Sequence, residues 1–284
     1  MTTLSLALRA ARSRLTRTLA LEPAIAGLEA HVLLGHALNK TRAYLLAHPE
    51  AALDDNQTTA FESLLQRRLS GEPIAYILGR REFYGLEFSV SPAVLIPRPE
   101  TELLVELALE HTPLQKPMRI LDLGTGSGAI ALTLAKLRPQ ALVTAVDVAP
   151  DALTIAQQNA TRLEVRNIRF IESDWFQALN PGSQFDLIVA NPPYIAANDP
   201  HLQQGDVRFE PIGALHSGSD GLDAIRHIAQ ESHRFLTPNG LLFFEHGFDQ
   251  QLACTSILAS FSYVDIACHR DLSNQPRISS GKKS

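Results

Sequence analysis

The chain has 284 residues, 45% hydrophobic and 19% charged, with a formal net charge of −5. That length and apolar fraction suit one large or two modest globular domains, and the acidic balance excludes a broad basic field for wrapping nucleic acid. Two cysteines, Cys254 and Cys268, are too few for a disulfide framework or a usual zinc site, and no apolar run approaches the ~20 residues that cross a bilayer; a cytoplasmic location, no membrane contact and no metal are expected.

Arg9, Arg12, Arg14 and Arg17 precede the first acid, Glu22, on an amphipathic segment. An organelle transit peptide has such a composition. So does the first helix of a helical domain, and that reading is favoured because a second helical pattern follows at once. Ala30, Leu33, Leu34, Ala37 and Leu38 fall at i, i+3, i+4, i+7 and i+8, one apolar stripe. Pro49 interrupts the pattern. The polar Asp54-Asp55-Asn56 precedes a further stripe at Phe61, Leu64, Leu65 and Leu69, which Gly71 and Pro73 end. Residues 1–73 are therefore expected to form a helical domain. Its His31, His36 and His48 have no acid or cysteine partners at metal spacing.

Residues 74–98 change character. Tyr76-Ile77-Leu78-Gly79 and the run from Phe83 to Val90 read as short strands with turn glycines, a β-hairpin linker. Leu95-Ile96-Pro97-Arg98-Pro99-Glu100-Thr101-Glu102 is a loop stiffened by two prolines. Glu100 or Thr101 is placed to open a helix over residues 103–109. Arg98 and Glu100 lie either over a ligand cleft or in a surface ion pair.

A third region, residues 99–284, alternates strand and helix patterns, which predicts a doubly wound, mostly parallel α/β sheet. Arg119 to Leu123 reads as a strand, Gly124-Thr125-Gly126-Ser127-Gly128 as a tight turn, and Ala129 to Leu132 as the start of a helix. Glycines there let the backbone turn sharply and let a ligand approach the main chain. A second strand, residues 141–146, ends in Asp147, an acid placed to accept both hydroxyls of a ribose. A nucleoside-like cofactor is expected. The spacing Gly-x-Gly-x-Gly departs from the Gly-x-Gly-x-x-Gly of pyrophosphate-binding turns, which favours S-adenosylmethionine (SAM) over NAD; Asp122 is then placed to help hold its amino group. A strand over residues 167–171 leads to Ser173-Asp174-Trp175, where Asp174 is available to an adenine amino group and Trp175 to its ring. Further strands are expected at residues 185–190, at 241–245 after the turn Thr237-Pro238-Asn239-Gly240, and at 262–267. The polar tail from Ser279 to Ser284 is expected to be disordered.

The fourth of these strands stops at Asn191-Pro192-Pro193-Tyr194. Each proline restricts the residue before it to extended geometry and donates nothing to a ladder. The Asn191 side chain and the Pro192 carbonyl are thus two stiffly held acceptors at the carboxyl end of a strand, where ligands bind in open α/β sheets. A pair of acceptors suits a planar NH2 group, with Tyr194 as an aromatic wall.

Together the glycine turn, Asp147, Ser173-Asp174-Trp175, Asn191-Pro192-Pro193-Tyr194 and the segment Leu95 to Glu102 resemble the bacterial release factor glutamine methyltransferases (HemK family). The likeness extends over nearly the whole chain, including Gly71-Glu72-Pro73-Ile74. It departs in Asp271-Leu272-Ser273-Asn274-Gln275-Pro276-Arg277, where relatives tend to carry a glycine. The resemblance implies a seven-stranded SAM-dependent methyltransferase sheet behind a small helical domain that docks the substrate. It implies methyl transfer to the glutamine of the Gly-Gly-Gln loop of class I peptide chain release factors, by a monomer with no stable nucleic-acid binding. Carried over by position, Gly124, Thr125, Gly126, Ser127, Gly128, Asp147, Asp174, Trp175 and Asn191 contact SAM. Asn191, Pro192, Pro193 and Tyr194 receive the glutamine, with Asn191, Pro192 and Tyr194 acting in the transfer. The competing readings are a ribosomal-protein glutamine methyltransferase, an adenine-N6 or guanine-N2 nucleic-acid methyltransferase using the same acceptors on a flipped base, an NAD-dependent oxidoreductase, and a non-catalytic adaptor.

Overall fold

The computed structural model describes residues 2–284 and divides between Gly79 and Arg80 into two units. The first is helical: α1 (Leu4–Leu19), α2 (Pro23–Leu38), α3 (Arg42–Ala47), α4 (Asp55–Leu69) and the short α5 (Ile74–Leu78). The four arginines near the start lie on α1, whose opposite face buries Leu4, Ala7, Ala11 and Leu15. Thr3 caps that helix through its side chain, and Arg14 makes a two-pronged pair with Glu62 of α4 at 2.6 and 2.8 Å. Asp54 and Gln57 form a reciprocal capping box on α4, so the polar stretch that precedes the second stripe is its helix start. Leu33 and Leu34 of the predicted stripe are fully buried, with Leu15, Leu45 and Leu65 around them. One expectation fails here. Tyr76, Ile77 and Leu78 are not a strand but the end of α5, which Gly79 closes with a φ of 69°; apolar runs this short do not distinguish the two periods.

The second unit begins with a hairpin of β1 (Arg80–Phe83) and β2 (Leu86–Ser89). Tyr84 and Gly85 both sit at positive φ, 52° and 72°, the two-residue turn whose twist matches a hairpin. Then follow α6 (Glu102–Glu110), β3 (Arg119–Leu123), α7 (Ala129–Leu137), β4 (Leu142–Asp147), α8 (Pro150–Arg162), β5 (Ile168–Glu172), β6 (Phe185–Ala190), α9 (Asp223–Phe235), β7 (Leu236–Glu245), α10 (Gln251–Ser260), β8 (Tyr263–Arg270) and β9 (Pro276–Lys283).

Seven strands form one sheet in the order β5-β4-β3-β6-β7-β9-β8, in which β9 alone runs against the others. Alternation along the central strands feeds two cores. Ile120, Leu187, Val189 and Phe243 face a layer with α6 and α7, while Leu121, Ile188, Ala190 and Phe244 face one with α9 and α10.

Two expectations near the carboxyl end fail. The tail from Ser279 is not disordered: it is most of β9, threaded between β7 and β8. Gly281 is small because its site is tight; a Cβ there would come within 2.9 Å of the Tyr263 Cβ. The turn at Thr237 to Gly240 lies within β7, where the pairing with β6 shifts register between Phe185 and Leu187 and Asn239 takes a φ of 63°.

Candidate functional site

The register aligns the strand tips. Leu123 pairs with Val146 and with Ala190, Ala190 with Phe244, and Asp147 with Glu172. The residues just past these tips, Gly124, Asn191 and Glu245 with Asp147 beside them, therefore stand in a row at the carboxyl edge. Strand order reverses between β3 and β6, the point at which an α/β sheet opens a crevice. A cavity of about 550 Å³ lies there, within the usual range for a small-molecule site.

Gly124, Thr125, Gly126, Ser127, Asp147, Asp174, Trp175, Asn191 and Pro193 all line the cavity. Arg98, one of the sequence candidates for the cleft, lines it too, with Thr101 from the same proline loop; the structure adds Asp223, Ala224 and His227 from α9, which no motif announced. Of the expected site residues, Gly128, Pro192 and Tyr194 do not line it. Gly128 has a φ of 83°, and a Cβ there would meet Leu132 Cδ1 at 2.8 Å and Ala156 Cβ at 3.2 Å. It serves the packing of α7 against α8. Pro192 is buried in the loop. Tyr194 lies behind the loop, its hydroxyl donating to Glu245 Oε1 at 3.0 Å.

Asp147 is held by backbone amides: Gly126 N donates to Oδ2 at 2.8 Å and Ala149 N to Oδ1 at 3.0 Å. Burial raises its carboxyl above the ordinary range, and those amides oppose the rise. Asp122, at the end of β3, is fully buried. Thr125 Oγ1 donates to its Oδ2 at 2.6 Å, while Oδ1 has no hydrogen-bond partner among the described residues. Desolvation pushes this carboxyl up to about 7. Gly126 has a φ of 55° with open space where a Cβ would stand, so its main chain is bare toward a ligand. The Trp175 ring packs across Gly124, 3.6 Å from a Cβ built there. Asp174 is exposed and accepts from Gln177 Nε2 at 3.0 Å.

The alternatives for Arg98 and Glu100 resolve separately. Arg98 lines the cavity and also pairs with Glu210, whose side chain is wholly buried and accepts the Ile96 N–H at 3.0 Å. Glu210 thereby ties the segment before α9 to the proline loop. Glu100 is exposed on that loop's 3-10 turn, Pro99–Thr101. Thr101 does not cap α6 with its side chain. Its hydroxyl donates to Glu245 Oε2 at 2.6 Å and accepts from Asn191 Nδ2 at 3.2 Å. Glu245, 1% exposed, was invisible as a site residue: one acid at the end of an apolar strand carries no motif.

A family model described as "PrmC N-terminal domain" matches residues 7–79, and one described as "Methyltransferase domain" matches residues 114–275. The release factor glutamine methyltransferase of Vibrio cholerae is 48% identical over 280 residues, covering 99% of this chain and 96% of its own. That of Escherichia coli is 48% identical over 254 residues, covering 89% and 91%. Among solved structures, a T. thermophilus 16S rRNA N2 methyltransferase (RsmC), in complex with AdoMet and guanosine, matches with a TM-score of 0.54 at 20% identity. The match covers 72% of this chain and 50% of that one. That likeness concerns the fold.

Proposed function

The chain belongs to the release factor glutamine methyltransferase family, and we propose that it transfers the methyl group of SAM to the side-chain amide nitrogen of the Gly-Gly-Gln glutamine in class I peptide chain release factors. The observation that carries this reading is the placement of Asn191. Its amide stands at a strand tip beside the glycine turn, on the cavity wall, with its NH2 held from behind by Thr101.

SAM is the cofactor, and the residues present fit it. The unpartnered Asp122 Oδ1 suits the cationic amino group, although burial places that carboxylate beneath the turn. Gly124, Thr125, Gly126 and Ser127 leave the main chain open to the cofactor's methionine portion. Asp147 is fixed by two amides and keeps a lone pair on each oxygen for the ribose hydroxyls. Asp174 and Trp175, on the cavity wall, would border the adenine. Gly128 supports the turn from below.

An amide nitrogen is a poor nucleophile because its lone pair is delocalised into the carbonyl. The cofactor supplies a methyl group activated by its sulfonium. The chain supplies position: Asn191 Oδ1 and the Pro192 carbonyl accept the two hydrogens of the glutamine NH2, orient the nitrogen and stabilise the positive charge that grows on it. With SAM bound, the nitrogen would gain the methyl carbon as the carbon–sulfur bond gave way, and the surplus proton would leave the nitrogen during or after transfer. Pro193 borders the entry, and Tyr194 stiffens the loop from behind. The helical unit docks the release factor. The enzyme acts as a cytoplasmic monomer without stable nucleic-acid or membrane binding.

The test is direct. The protein is incubated with labelled SAM and, separately, a purified release factor, ribosomal protein, duplex DNA and ribosomal RNA, and the label is mapped by mass spectrometry. Label on a release-factor glutamine is expected. Label confined to another substrate overturns the proposal.

A further inference from the structure

Glu245 is a buried acid that the transfer chemistry does not touch, yet it organises the residues that do. It ends β7 one residue past Phe244, which pairs with Ala190, so Glu245 and Asn191 are neighbouring tips. Both of its oxygens are taken by hydroxyls: Thr101 Oγ1 at 2.6 Å and Tyr194 Oη at 3.0 Å. Thr101 is 4% exposed and arrives on the turn that Pro97 and Pro99 stiffen.

The hydrogen count runs one way. An ionised carboxylate has no hydrogen to give, and a hydroxyl has a single one. The Thr101 hydrogen is committed to Glu245, so Thr101 offers Asn191 only lone pairs. The Asn191 NH2 must therefore turn toward Thr101, at 3.2 Å, and its carbonyl oxygen is left for the other side. Without this chain the two ends of the amide would be interchangeable in shape. With it, the site presents an acceptor and rejects the flipped amide, whose NH2 would meet the substrate NH2 donor to donor.

We propose that Glu245 is a positioning residue: acting through Thr101, it locks the Asn191 amide with its oxygen toward the cavity and so makes the site selective for an NH2 group. This rests on the amide-methylating reading above. Burial raises the Glu245 carboxyl above its ordinary value, and the two hydroxyl donors and the charge of Arg277 oppose that rise; the hydrogen count itself rests on geometry, since each oxygen already accepts a hydroxyl.

The experiment is a polarity swap. Glu245→Gln keeps the shape; the Tyr194 hydroxyl, which has no other acceptor among the described residues, keeps the Gln oxygen, so the Gln NH2 faces Thr101, frees the Thr101 hydrogen to point at residue 191 and flips the Asn191 amide. Asn191→Asp restores an acceptor on both sides in that background. Turnover and SAM affinity are measured for wild type, Glu245→Gln, Asn191→Asp and the double variant, using a purified release factor. Glu245→Gln is expected to lose about 100-fold in kcat while the SAM Kd stays within about threefold. Adding Asn191→Asp to it is expected to recover about tenfold, although Asn191→Asp alone impairs the wild type, a coupling that a structural role would not produce. If Glu245→Gln does not fold, Thr101→Ser, which keeps the hydroxyl, should stay within about threefold of wild type, and Thr101→Val should lose about 100-fold. Near-normal turnover in Glu245→Gln, no recovery in the double variant, or equal losses in the two Thr101 variants overturns the proposal. A wild type that binds SAM but methylates no glutamine overturns the functional reading, and the relay with it. Transfer by a wild type whose Glu245→Gln variant is equally active overturns the relay alone.

Discussion

Asn159 clasps Ser89 by both of its backbone groups: its Oδ1 accepts the Ser89 N–H at 2.7 Å and its Nδ2 donates to the Ser89 carbonyl at 3.1 Å. The same Nδ2 donates to the Ser127 carbonyl at 2.9 Å. One fully buried side chain on α8 thus ties the hairpin to the glycine turn. Asn159→Leu takes this partner from the part-buried Ser89 N–H and carbonyl and from the buried Ser127 carbonyl. It should cost about 2–5 kcal/mol in unfolding free energy and weaken SAM binding in the fraction that folds. Denaturant melts and calorimetry measure both; a loss below about 0.5 kcal/mol would show that the clasp is dispensable.

Two glycines of the same turn should respond differently. A Cβ at Gly128 meets Leu132 and Ala156, whereas one at Gly126 meets open cavity, though both residues have positive φ. Gly128→Ala is expected to lower stability by about 2–4 kcal/mol, from strain plus overpacking. Gly126→Ala should cost about 1 kcal/mol of stability and act mainly on SAM affinity. Thermal melts with and without SAM separate the two, and equal effects at both positions would reject the distinction.

Asp122 makes the protein without cofactor pH-sensitive. Its ordinary value is 3.8, and burial raises it to about 7, with Asp147 adding to the rise. The folded state therefore binds a proton that the unfolded chain has released. Stability is greatest below the unfolded value, falls as pH rises between the two, and levels off above the folded value. The whole loss is at most about 4 kcal/mol. Asp122→Asn cannot ionise, so without SAM its melting temperature should gain on the wild type from pH 5 to pH 8. A gap that shrinks over that range contradicts the assignment.

Asn191→Ala removes one preorganised acceptor and leaves the glycine turn untouched. SAM binding should persist with turnover down by about a hundredfold or more, or roughly 3–4 kcal/mol. Calorimetry and a single-turnover assay read the two quantities, and near-normal turnover would remove Asn191 from the chemistry.

Period and punctuation were legible in the chain. The apolar stripes of the first unit, the strand–glycine turn–helix around Gly124 and the proline-stiffened stop at Asn191 are local patterns, and local backbone rules act on them wherever they sit. The misreadings share one cause. Tyr76 to Leu78 form an apolar run too short to show a period, and Ser279 to Gly281 are small where a tight slot between two strands demands it, so they carry no apolar strand pattern. In both places the neighbours, not the local sequence, chose the state.

By itself the sequence determined which residue types stand at each strand tip, because strands, turns and helix starts follow from side-chain period and backbone stiffness. Only the tertiary structure decided which tips stand together. Strand order put Asn191 beside both the glycine turn and Glu245, and chain return brought Thr101 between them across 90 residues. The direction of a hydrogen bond within that group depends on what each partner has left to donate, and that is settled only when all three are in place.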